Sequence, residues 1–321
     1  MVKKKNNEQS TNFFDLMIND LVYSKSSSHS VLKTTNPFYS FFEKKLKEKL
    51  NKIKDQRCLG YIKANVGSYD KKKVFLERHR EQGNLKVRLI KNYNFNDELI
   101  IINTAGGLTS GDVNIHKIKV DNNIKLNITT QSMEKIYNCK NFSANSYTNI
   151  IVGSNSYVSW IPLETIFFNG ANLRRRINID LESKSNFLGI ETIIFGREAM
   201  GEKVEKGILD DAWQIYKNGK LLYSDFNRIS GNINKKLSNA LIMKGNNIFC
   251  NIIFIGKKIK TYEKKILRYI ADSEFFSGVS IVNGVLLLKI LVKNINEIRN
   301  FLDKLISILD ENYNLPKLWN S

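Results

Sequence analysis

Residues that hold metals and crosslinks are scarce in this chain. Among 321 residues there are three cysteines and three histidines. Cys58, Cys139 and Cys250 form no CxxC pair, and His29, His79 and His116 are equally scattered. An odd, widely spaced cysteine set excludes a disulfide framework and a Cys/His zinc site of recognisable spacing, and points to a reducing compartment. Long apolar runs are missing as well, since no stretch approaches the roughly 18 uninterrupted apolar residues of a membrane span. The first residues are basic like a signal peptide, but Asp15, Asn19 and Asp20 interrupt the part that would be apolar. The expectation is a cytoplasmic protein with no membrane partner.

Acidic residues are also few, with 31 Asp and Glu against 50 Lys and Arg, a formal net charge of +19. Such an excess fits a polyanionic partner, an acidic protein partner or compositional drift. Lys, Asn and Ile recur along the whole length, and no aromatics interleave with a basic stripe. That spread favours drift over nucleic-acid binding. A basic, polyanion-binding β protein stays as an alternative.

What is present is a globular composition, 42% hydrophobic and 25% charged. Residues 1–56 read as a basic N-terminal extension, with "SKSSSHS" as a linker. Ser40 and Glu43 there make a capping box ahead of a short amphipathic helix carrying Phe42, Leu46, Leu50 and Ile53. Residues 57–321 form the main domain. From Cys58 to about Ser230 the apolar period falls to two, as in Ile124, Leu126, Ile128 and in Ile177, Ile179, Leu181. Short strands recur without the helical crossovers of a parallel βαβ unit. The fold class expected is therefore mainly β, a β-helix-like or antiparallel strand scaffold with a few helices. Toward the C-terminus, Asn283 and Gly284 mark a hairpin, and Asn294 opens an amphipathic helix with Ile298, Leu302 and Leu305 on its buried side.

"INTAGGLTSGD" sets Gly106 and Gly111 apart at the spacing of a phosphate-binding P-loop. Asp112 stands where the P-loop lysine would neutralise phosphate, and "VNIHKIKV" alternates like a strand where a helix should open. A nucleotide site is thereby excluded. Gly106, Gly107 and Gly111 instead describe a close-packed turn. Asp112 is then either a turn residue bonded to local backbone or a buried carboxylate with a role of its own.

In "SWIPLETIFFNGANLRRR", Glu164 sits among Trp160, Ile161, Leu163, Ile166, Phe167 and Phe168. A carboxylate buried there needs a partner. The run Arg174 to Arg176 is the nearest supply, and strand parity puts Arg175 on the face of Ile177 and Ile179. "FGREAMGE" carries Arg197 and Glu202 on a glycine-flexed loop, and "TTQSMEKIYN" adds Gln131, Lys135 and Tyr137. Glu164 and Glu202 as the acid and base of a hydrolase is the second alternative, although no nucleophile motif accompanies them.

These four motifs, in this order and at these intervals, resemble the urease accessory protein family UreD, also called UreH. The closing "LPKLWN", with Pro316 and Trp319, is similar to the family's ending. Ser110 departs from the family's usual third glycine, and Ser132 and Met133 from its usual small residues. The resemblance implies a non-catalytic role: joining UreF and the GTPase UreG on urease apoprotein and helping to insert nickel. It also implies an internal tunnel for nickel in transit, with no permanently bound cofactor. Metal in transit needs weak, exchangeable oxygen ligands. Asp112, Glu164 and Glu202 are accordingly expected to line or gate a hydrated path, with Arg197 and Lys135 setting their charge state.

Overall fold

The structure is a computed structural model that describes residues 57–69, 73–197, 201–271 and 273–320. Arg57–Ser321 forms one compact unit, and the extension and amphipathic helix expected within residues 1–56 lie outside the described residues.

The chain order is β1 (Leu59–Tyr69), β2 (Lys73–Gln82), β3 (Leu85–Ile90), β4 (Asp97–Asn103), β5 (Val113–Val120), β6 (Lys125–Gln131), β7 (Glu134–Ile136), β8 (Ala144–Val152) and β9 (Tyr157–Trp160). There follow β10 (Thr165–Phe167), β11 (Asn172–Leu181), β12 (Asn186–Phe195), β13 (Lys206–Lys217), β14 (Lys220–Asn232), α1 (Ile233–Ser238), β15 (Ile248–Ile255), α2 (Ile259–Ala271), β16 (Phe276–Val282), β17 (Val285–Val292) and α3 (Ile295–Ile308). A 3-10 turn, Lys317–Asn320, follows them.

Two sheets face one another. The seven-stranded sheet runs β14-β13-β11-β8-β5-β1-β2, and the ten-stranded one β16-β17-β15-β12-β9-β6-β4-β3, with short β10 beside β12 and short β7 beside β10. From β4 to β13 the chain passes back and forth between the sheets, with β6 and β7, and β9 and β10, staying in the larger one. It thereby winds a β-solenoid whose central strands pair in parallel. Leu99 lies beside Ile128, Ile128 beside Trp160 and Trp160 beside Gly189, so successive turns are 29 or 32 residues apart. Antiparallel β2 and β14 flank the first sheet. The sequence shows no repeat because the turns share geometry and burial but not residue identity.

Alternation builds the core. Ala64, Ile118, Ile150, Ile179 and Ile215 stack as one ladder across β1, β5, β8, β11 and β13, all buried. They meet Leu99, Ile128, Trp160 and Phe187 of the opposite sheet. Each such isoleucine contributes about 1.5–3 kcal/mol of burial. The other face of the larger sheet is covered by α3, whose Ile298, Phe301, Leu302 and Leu305 are buried, and by Tyr313 and Trp319. Asn283 and Gly284 take positive φ in the β16–β17 hairpin, and Asn294 caps α3 through Asn296 N, as their residue types require.

A period of two in β6 implies one buried and one solvent-facing side, and the second half of that reading is corrected by the structure. Asn127 and Thr129, on the polar face of β6, are buried too. Asn127 accepts from Ser159 Oγ at 2.7 Å and donates to Asn314 O at 3.2 Å, so the C-terminal segment covers the face that alternation had assigned to solvent.

Candidate functional site

The loop after β4 is a turn. Asp112 Oδ2 accepts from Thr109 N at 2.8 Å, and Oδ1 accepts from Cys58 N at 2.9 Å, tying the loop to the chain just before β1. Gly111 has φ +86 and Gly106 φ +72, which an L side chain adopts at a cost. Gly107 is needed for space as well: an added Cβ would stand 2.6 Å from Lys135 O and 2.7 Å from the Tyr137 ring. Ser110, in place of a third glycine, accepts from Phe142 N at 2.9 Å.

Beside this loop a cavity of about 60 Å³ enters the space between the sheets. Exposed Gly106, Gln131 and Ser132 stand at one side of its lining, and buried His116, Thr148, Trp160, Arg175 and Glu191 at the other. At the deep end Arg175 donates from Nε and Nη2 to Asp211 at 2.9 and 3.0 Å, and from Nη1 to Glu191. Trp160 Nε1 donates to the other Glu191 oxygen at 2.7 Å. Burial alone would lower the Arg175 pKa, but Asp211 and Glu191 together raise it, so the guanidinium is fixed as a cation. Burial holds Glu191 above the ordinary carboxylate range despite the pull of Arg175. Two carboxylates thus share one cation in the interior.

His116 projects from β5 into the same space, its Nδ1 3.0 Å from Thr148 Oγ1. Desolvation lowers its pKa to about 4, which keeps the imidazole neutral. Glu134 lines the cavity from β7. Asn103 Nδ2 donates to both of its oxygens, at 3.0 and 3.3 Å, yet desolvation outweighs this and pushes the carboxyl up to about 7. Asp112 adds to the rise and Arg175 opposes it.

Asp112, Glu164 and Glu202 are not brought together, and none of them is part of this lining. Glu164, fully buried, accepts Arg299 Nε and Nη2 of α3 at 2.8 and 3.0 Å. Its partner is therefore Arg299 and not the Arg174 to Arg176 run, because parity turns Arg175 inward to Asp211 and Glu191. Sealed in this way, Glu164 offers no acid or base to a bound substrate. Glu202 is half-buried, 3.4 Å from Arg197 Nε and 3.3 Å from Asn169 N. Arg197 covers the Phe168 ring at 4.8 Å, and Tyr137 stacks on the same ring at 5.2 Å. Lys135 contributes backbone, its carbonyl accepting Leu108 N at 2.7 Å. Among the described residues no group of three His, Cys, Asp or Glu is arranged to hold a metal ion.

Four residues of the interior escaped the sequence reading: His116, Glu134, Glu191 and Asp211. Glu191 in "FLGIETIIF" carried the same signal as Glu164, an acid inside an apolar run. His116 was legible too, because in "VNIHKIKV" it shares parity with Ile118 and Val120, the core face of β5.

The pattern of turn, cavity and buried arginine spans most of the solenoid, and so does the similarity to known proteins. The family model described as UreD urease accessory protein matches residues 60–320. This chain belongs to the UreD family. It is 33% identical over 240 residues to the urease accessory protein UreD of Rhizobium leguminosarum bv. viciae, covering 75% of this chain and 87% of that one. To the UreD protein of Chelativorans sp. (strain BNC1) it is 35% identical over 247 residues, 76% and 88% of the two chains. Membership of UreD makes an accessory role in urease maturation the established part of the function. No helix among the described residues is long and apolar enough to cross a membrane.

Proposed function

We propose that this UreD chain acts in the cytoplasm as a non-catalytic factor which, with UreF and the GTPase UreG on urease apoprotein, passes nickel toward the urease active site through the cavity between its sheets. The observation that supports this reading is the wall of the cavity, where Glu134 and Glu191 present carboxyl groups beside the neutral imidazole of His116, and where Arg175 is already engaged by Glu191 and by Asp211 behind it. A carboxyl that desolvation holds toward its protonated form exchanges its proton for an entering cation.

Size adds a requirement. A space of about 60 Å³ holds about two waters at liquid density. A divalent cation that enters it sheds part of its hydration shell and takes replacement donors from the wall. Glu134, Glu191 and the amides of Gln131 and Asn103 offer oxygen, and neutral His116 offers one nitrogen. Such a sparse, mixed set gives the weak and exchangeable binding that transit needs. In this reading Asp112, Glu164 and Glu202 serve the path from outside the lining. Asp112 fixes the loop at the mouth, Glu164 fixes the segment before β10 against α3, and Glu202 holds Arg197 over Phe168.

The test is Glu134→Gln, an isosteric change in the cavity wall, in the full chain produced with the urease proteins. Reduced nickel per urease active site, with the accessory complex still assembled, is expected. Full metallation by the assembled variant complex would refute the path.

A further inference from the structure

The solenoid end formed by β2 and β3 has a second opening, unconnected with the nickel reading. These strands terminate their respective sheets, and between them lies a groove of about 470 Å³. Its floor is apolar, with Val74 and Val87 buried and Phe75, Leu76 and Leu89 partly so. Tyr69, 64% exposed, forms one wall and stacks on Phe75 at 4.3 Å. Lys73, His79, Arg88 and Lys91 stand on the rim, all exposed, and the described lining contains no carboxylate. Arg88 and Lys91 are held by Glu81 and Asp97 from outside the groove, at 2.9 and 3.0 Å. The turn that follows β3 exposes Tyr93 completely and Phe95 by 56%.

Charged edge strands ordinarily guard a sheet against pairing with other chains. That accounts for Arg78 and Arg80 but not for an apolar trough with aromatics at its side. Exposed aromatic and basic residues around an apolar centre have the composition of a protein interface. A nucleic acid would match the basic rim but would leave the apolar floor unused. We propose that this groove docks an acidic segment of a partner protein, its apolar side chains on Val74, Leu76 and Leu89 and its carboxylates on Lys73, His79, Arg88 and Lys91.

The experiment replaces Tyr69 by p-benzoylphenylalanine in the full chain, co-produced with urease apoprotein and the other accessory proteins, and irradiates the cells. Mass spectrometry then identifies the crosslinked peptide. The expected product is one partner segment of net negative charge with interspersed apolar residues. Its yield falls up to about fivefold on Lys73→Glu, the effect of one exposed charge pair. Arg88→Gln lowers it in the same direction, while thermal melting shows both variants folded. Crosslinks to nucleic acid, to lipid, to a second copy or to residues 1–56 of the same chain would overturn the proposal, as would no crosslink or a yield that charge removal leaves unchanged. Nickel loading does not enter this readout, so the docking surface and the metal path stand or fall separately.

Discussion

Glu134 offers a measurable consequence of its setting. Its carboxyl is raised from an ordinary 4.5 to about 7, chiefly by desolvation. An acid whose pKa is higher in the folded chain binds its proton more tightly there. Ionisation therefore opposes folding, and stability falls as pH rises from the unfolded value through the folded one. A shift of about 2.5 units corresponds to about 3 kcal/mol at full ionisation, less what partial solvent contact screens. Glu134→Gln removes the ionisation while keeping an acceptor for Asn103 Nδ2. The variant should accordingly gain stability over the parent, and the gain should grow by about 2 kcal/mol between about pH 5 and about pH 8. Urea unfolding of both proteins across that range measures it. A gain that is the same at both ends would refute the desolvation of Glu134. A gain that is larger at the acid end would show that its carboxylate is stabilised and not penalised.

Two further outcomes follow from the packing. Arg299→Ala leaves Glu164 buried without its partner and should cost about 3 kcal/mol, most of it restored when Glu164→Gln is added, as a double-mutant cycle by thermal denaturation would show. Gly107→Ala drives a methyl into Lys135 O and should cost about 1–3 kcal/mol more than Gly106→Ala, beside which nothing lies within 4 Å; melting temperatures of the two variants decide it.

Local chemistry was readable wherever one short segment carried it. Arg175 on the inward face, the Asn283–Gly284 hairpin, the helix opened by Asn294 and, as one of two readings left open, Asp112 as a turn residue bonded to Thr109 depend on neighbours a few positions away. Pairings across the solenoid were not readable in the same way. Arg299 lies 135 residues from Glu164, and Asp211 lies 36 from Arg175. Parity predicts that a charge is buried but not which distant charge meets it. The cavity was hidden for a related reason, since its lining draws on many strands and each contributes little to a local pattern. Asn127 and Thr129 misled because alternation reports contrast between two faces, not whether the polar face is later covered.

The parallel winding also bears on how the chain reaches this state. Each central strand finds its parallel neighbours 29 to 54 residues away along the chain, so a loop of that size closes before any ladder bond is made. In the pairs β1–β2, β13–β14 and β16–β17 no more than three residues separate the strands in sequence, so these pairs can form early. Between those events and the last closure, the isoleucine ladder of β5, β8 and β11 stands open to solvent and offers its edge to any other strand. Folding of this chain is thus a race between winding and aggregation, and higher chain concentration shifts that race toward aggregation.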